Sequence, residues 1–168
     1  MKRSPARTIA LSSTLAAHLV AATTPTAGGN LPDWSRRRIE ILAAEKRLVV
    51  SRDLYPGHLE ADLNGDRKLD LAVFVRHART RKAGIAILLR DRGGAVVLGA
   101  GSDFGNGGDD FSWMDAWSVH PKGTAARGED PGPAPRLHGD ALLVEKSEAA
   151  SAVIYWDGRS FRWHQQGD

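Results

Sequence analysis

Three short apolar runs, "KLDLAVFVRH" (68–77), "IAILLRD" (85–91) and "AVVLGAG" (95–101), follow one another with only "ARTRKAG" and "RGG" around the joins. Connections this short cannot hold a crossover helix, so neighbouring strands must run antiparallel. Two further runs, "DALLVEKS" (140–147) and "SAVIYWDGRSFRWHQ" (151–165), carry the same signature near the C-terminal end. The second holds Asp157-Gly158 between aromatic-rich halves, a strong hairpin signal because that pair tolerates positive φ. Tyr155, Phe161 and Trp163 would supply cross-strand packing there. "SWMDAWSVH" (112–120) reads as another strand, with Trp113 and Trp117 on one side. The expected fold is mainly β within the α+β class, an antiparallel meander or sheet of six to eight strands. No internal repeat is visible in the sequence.

One helix is expected. In "LPDWSRRRIEILAAEK", Pro32 and Asp33 suit a helix start, and Trp34, Ile39, Leu42 and Ala43 fall near helical spacing. The pattern predicts one amphipathic helix over about 33–46, with its three arginines on the solvated face.

Ahead of it, Lys2, Arg3 and Arg7 precede the uncharged stretch "TIALSSTLAAHLVAA" (8–22), and Val20 and Ala22 suit a cleavage after Ala22. This is the layout of a secretory signal peptide over residues 1–22, with a small-residue spacer over 23–30. The apolar part is too short and too interrupted to span a bilayer. A periplasmic or secreted protein is expected, with one β-rich domain over 31–168. The leader holds three of the chain's 23 basic residues and none of its 20 acidic ones, so the remainder is balanced at 20 against 20. Without a basic footprint, nucleic-acid binding loses its main support. The chain has no cysteine, so core packing must hold it without disulfides. "PKGTAARGEDPGPAPRLHG" (121–139) carries four prolines and four glycines, which predicts a long, exposed and mobile loop over 121–137.

The stretch with the most chemistry is "ADLNGDRKLDLAVF" (61–74). Asp62, Asn64 and Asp66 occupy positions 1, 3 and 5 of a possible oxygen-ligand loop. Lys68 would offer its carbonyl at position 7, and Asp70 a carboxylate at position 9. Hard oxygen donors at this spacing suit calcium. An EF-hand is excluded, since position 12 is Val73 rather than Glu and position 6 is Arg67 rather than Gly. The other reading is a polar turn whose carboxylates cap its own amides.

"DLNGDRKLDLAVFV" followed by "GIAILLRDRGG" resembles the FG-GAP/VCBS-type repeat of bacterial secreted and surface proteins, over about residues 60–95. The resemblance implies that the Asp-rich loop binds calcium and that the segment after it is a strand of a propeller blade. It gives ligand roles to Asp62, Asn64, Asp66 and Asp70, with the carbonyl of Lys68. Only one such unit is present, and the Phe-Gly…Gly-Ala-Pro signature is absent. The tail from Gly139, with "FGNGGDDFSWMDAW", also looks like the ending of small exported bacterial proteins of unassigned function.

The leading expectation is therefore an exported, monomeric, non-enzymatic binding or structural module with one calcium loop, recognising a protein or a glycan. Two alternatives use the Gly- and Asp-rich segment 103–115. One is an envelope hydrolase working through its carboxylates. The other is a periplasmic inhibitor or immunity protein that inserts this loop into an enzyme. The histidines are scattered without zinc spacing, and no nucleophile elbow or dinucleotide fingerprint is present.

Overall fold

The computed structural model describes residues 31–128 and 133–167. The expected signal peptide (1–22) and spacer (23–30) lie outside the described residues. The chain runs α1 (Asp33–Lys46), β1 (Leu48–Val50), β2 (His58–Ala61), β3 (Asp70–His77), β4 (Ala83–Leu88), β5 (Val96–Gly99), β6 (Ala116–His120), β7 (Ala141–Lys146), β8 (Ala150–Trp156) and β9 (Phe161–Gly167). Two short 3-10 turns, Gly105–Gly107 and Phe111–Trp113, lie between β5 and β6.

All pairings are antiparallel, so the mainly β expectation agrees with the structure. The strand count does not: nine strands are described, rather than six to eight, and they form two sheets. The excess is β1 and β2, three and four residues long, too short to show an alternating pattern in sequence. Both pair with the same edge of β3, β1 against Val75–His77 and β2 against 70–73. β4 and β5 complete the first sheet, and β6 to β9 form the second in chain order.

The two sheets follow the same course, although the sequence shows no repeat. Each is a meander of four consecutive strands, β2–β5 and β6–β9, with a loop between its first and second strands. An aspartate stands at the start of each second strand, Asp70 on β3 and Asp140 just before β7. Each accepts the amide two residues beyond the end of the preceding strand, Leu63 N–H to Asp70 Oδ2 and Lys122 N–H to Asp140 Oδ1.

The sheets pack face to face. Phe74, Ile85, Ile87 and Leu98 of the first meet Trp117, Leu142, Val144, Ile154 and Trp156 of the second in one core. The Phe74 and Trp117 rings stand 6.4 Å apart across it. The alternate residues Leu71, Val73, Val75, Ala86 and Leu88 form a separate cluster with Leu42 of α1 on the outer face. Burial on both faces explains why "LAVFV" is apolar at every position instead of alternating.

Helix α1 covers the residues expected of it, and Leu31, Trp34, Ile39 and Leu42 face the first sheet. Its arginines are not all solvated. Arg38 donates from Nη1 to Leu89 O at 2.7 Å and from Nε to Gly94 O at 3.0 Å, tying the helix to the β4–β5 connection. The outer face of the second sheet is covered by the described parts of segment 121–137, through Ala125 and Leu137 against Ala141 and Val153.

Candidate functional site

Asp62, Asn64, Asp66 and Lys68 lie on the β2–β3 loop, and Asp70 is the first residue of β3. Each of the first three side chains folds back on the loop's own backbone. Asp62 accepts Gly65 N–H through Oδ1 at 2.8 Å and Arg67 N–H through Oδ2 at 2.9 Å. Asn64 Oδ1 accepts Asp66 N–H at 3.0 Å, and Asp66 Oδ1 accepts Lys68 N–H at 2.8 Å. Asn64 Nδ2 reaches Asp91 Oδ1 at 3.3 Å. Successive local bonds of this kind curl a chain tightly. The curl needs positive φ at Gly65 (82°) and Arg67 (67°), the latter unusual for a side chain. Gly65 is also required by space, since a Cβ there would stand 2.5 Å from His138 O.

Asp70 sits deeper, with no exposed surface. Its Oδ2 accepts Leu63 N–H at 3.0 Å and its Oδ1 accepts Arg90 N–H at 2.7 Å. Burial pushes its carboxyl up to about 6. The amide bonds from Arg90 and Leu63 oppose that rise, while the charge of Asp66 adds to it.

Among the described residues, no group of three or more histidine, aspartate or glutamate side chains is arranged to hold a metal. The carboxylates are turned to amides instead, and an oxygen-ligand shell here would draw on Asn64 Oδ1 and the Lys68 carbonyl as well. One atom departs from this self-satisfied pattern: Asp66 Oδ2 is buried and has no hydrogen-bond partner. A buried carboxylate oxygen without a partner is costly. The donors are all hard oxygens, which fits calcium chemically.

The loop also joins the two sheets. Asp140 N–H donates to Asp62 O at 2.7 Å, and Asp62 N–H to Asp140 Oδ2 at 3.3 Å. Sequence reasoning passed over Asp140. Its signal was an aspartate immediately before an apolar run, as Asp70 is at the end of the Asp62–Asp70 loop.

The carboxylates of segment 103–115 serve as braces. Asp110 Oδ1 accepts Ala83 N–H at 2.8 Å and Ser112 N–H at 3.0 Å. Burial works against its charged form, but these bonds prevail and its pKa is lowered. Asp115 takes Lys146 Nζ at 2.8 Å and both the amide and hydroxyl of Ser147, which hold its pKa down to about 2. Asp109 pairs with Lys82. Phe111 is fully buried and fastens the segment to the core. Trp117, expected beside Trp113, is buried with its Nε1 donating to Pro56 O at 2.6 Å, whereas Trp113 belongs to a 3-10 turn. Trp113 packs instead with Phe111 and Trp163, ring centroids 6.1 and 6.2 Å away.

No helix among the described residues is long and apolar enough to cross a membrane. Compared with known protein families, curated proteins and solved structures, the chain matches none.

Proposed function

We propose that this chain is an exported, non-enzymatic binding or structural module whose Asp62–Asp70 loop takes one calcium ion. The observation that carries the reading is the buried, unpartnered Oδ2 of Asp66 beside the fully buried Asp70. Asp62, Asn64, Asp66 and Asp70, with the carbonyl of Lys68, would hold the ion. Bound calcium would supply positive charge that offsets the repulsion between the Asp66 and Asp70 carboxylates. The chain's own residues then do structural work. Asp62 ties this loop to Asp140 of the second sheet, and Asp70 ties it to the β4–β5 connection at Arg90. Fixing the loop therefore steadies the junction of the two sheets. The β2–β5 meander that contains the loop is also in keeping with the blade-like unit implied by the FG-GAP/VCBS resemblance.

Export rests on the layout of residues 1–22, and the partner is a protein or a glycan. A hydrolytic role finds less support. The carboxyl raised by burial, Asp70, has no surface from which to reach a substrate, and Asp110 and Asp115 are shifted in the direction that disfavours a general acid.

The test is thermal unfolding of the purified chain in excess calcium and in EDTA. Extracellular modules bind calcium at roughly 10⁻⁴–10⁻³ M. A free concentration 100 times the dissociation constant stabilises by about 2.7 kcal/mol, a shift of several degrees. Asp66→Ala should abolish the shift, while Asp157→Ala, in the β8–β9 turn and not among the proposed ligands, should keep it. No shift, or equal shifts in both variants, would overturn the assignment.

A further inference from the structure

Residues 123–125 and 135–137 pair as a narrow two-stranded ribbon. Thr124 bridges Arg136 in antiparallel sense, Leu137 N–H donates to Gly123 O at 3.0 Å, and Ala125 N–H to Pro135 O at 3.5 Å. Side chains alternate across such a pair. Ala125 and Leu137 point down and are buried against Ala141 and Val153. The opposite face therefore carries Thr124 and Arg136, and the register sets Lys122 against His138 at the next like-facing position. All four are exposed.

Lys122, Arg136 and His138, with Leu137 beneath, line an open cleft of about 300 Å³. The β8–β9 turn borders it, since a Cβ at Gly158 would lie 3.8 Å from the His138 ring, and the next residue is the exposed Arg159. None of Lys122, Arg136 and His138 makes an ion pair among the described residues. Elsewhere charge is often paired, as in Lys82–Asp109, Lys146–Asp115 and Arg162–Asp157.

We propose that this ribbon face is an oxyanion-binding site that takes a phosphate group, free or within a polyphosphate chain. The Arg136 guanidinium offers a planar fork of donors and the Lys122 ammonium a mobile point charge. The Thr124 hydroxyl and a His138 ring nitrogen add neutral donors. The cleft adjoins the calcium loop, since His138 O lies against Gly65 and Lys122 N–H bonds to Asp140, but it shares none of the loop's proposed ligands. The apolar underside of the ribbon, seated on the second sheet, holds these groups in place before a ligand arrives.

The experiment is titration of the full chain with inorganic phosphate at constant ionic strength, followed by amide and side-chain NMR shifts. Long-chain polyphosphate forms a second arm. Saturable shifts at Lys122, Thr124, Arg136 and His138 are expected. Arg136→Gln and Lys122→Gln should each weaken binding roughly tenfold, in line with loss of a charged hydrogen bond. Arg79→Gln, at an exposed arginine outside the cleft, should bind as the parent does, and thermal melts of all three variants confirm folding. Tighter binding of polyphosphate with the same residue pattern identifies a polymeric source, and equal per-phosphate affinity a free one. Absence of saturation in both arms, or equal weakening by Arg79→Gln, would overturn the proposal.

Discussion

Asp70 Oδ1 accepts the backbone amide of Arg90 at 2.7 Å, joining the first residue of β3 to the chain just past β4. Its other oxygen holds Leu63, so one side chain with no exposed surface closes two connections at once. That position has a thermodynamic consequence. The folded carboxyl titrates near 6, whereas an unfolded aspartate titrates near 3.9. Between those values the folded state binds more protons than the unfolded one, so stability rises as pH falls through the window. In EDTA, Asp70 should therefore cost roughly 2 kcal/mol at pH 7 that is recovered by about pH 4. Urea melts of the parent and Asp70→Asn across pH 4–7 check this. The variant should lose the slope that Asp70 contributes, and identical slopes would show that Asp70 does not titrate there. Protons and calcium would compete for the same carboxylate, so the calcium-dependent shift in melting temperature should be smaller at pH 5 than at pH 7.

Gly105 lies against Trp163, and an added Cβ would stand 2.3 Å from the Trp163 Cβ in a backbone with φ of 55°. Gly108 has a similar φ of 70° but open space around it. The pair separates steric crowding from backbone strain. Gly108→Ala should cost about 1–3 kcal/mol, the backbone penalty alone, since φ of 70° with ψ of −156° is a conformation essentially reserved for glycine. Gly105→Ala should cost the left-handed penalty of about 1–2 kcal/mol plus roughly 1–3 kcal/mol for displacing the ring. Denaturant midpoints give the two costs. Near-ultraviolet circular dichroism should change for Gly105→Ala only, through the Phe104, Phe111, Trp113 and Trp163 cluster.

Arg38 fastens α1 to the first sheet through the carbonyls of Leu89 and Gly94 and lies 5.5 Å from the Trp34 ring centroid. Arg90 approaches the same ring at 4.8 Å. Arg38→Ala should cost about 1–3 kcal/mol. The loss should appear locally. Amide exchange in α1 should accelerate while β3 and β7, in the interior of their sheets, keep their protection. Equal acceleration in all three elements would mean that the helix is not a separate cooperative unit.

Much of the secondary structure was legible in the chain because local chemistry specifies it. Pro32-Asp33 and the apolar spacing after them placed α1. Short polar joins made β3–β5 antiparallel, and Asp157-Gly158 placed the β8–β9 turn, where Gly158 has φ of 99° and Asp157 Oδ1 accepts the amides of Arg159 and Ser160. The curl of the Asp62–Asp70 loop was equally local, since the side-chain-to-amide bonds that wind it from Asp62 to Lys68 span two to five residues.

Tertiary structure alone decided the rest. Continuous runs such as "LAVFV" state that both faces of a strand are buried, but not what buries them. Here the answer is α1 on one side and the second sheet on the other. The strands β1 and β2 exist because β3 offers them an edge, not because three or four residues prefer to be extended. The burial of Asp70, the bracing of Asp110 by Ala83 N–H and the link from Asp62 to Asp140 join residues 20 to 78 positions apart. No local pattern encodes such pairs. They form only when the packing of two apolar faces brings the chain segments together, and that packing gives each aspartate its partners and its charge.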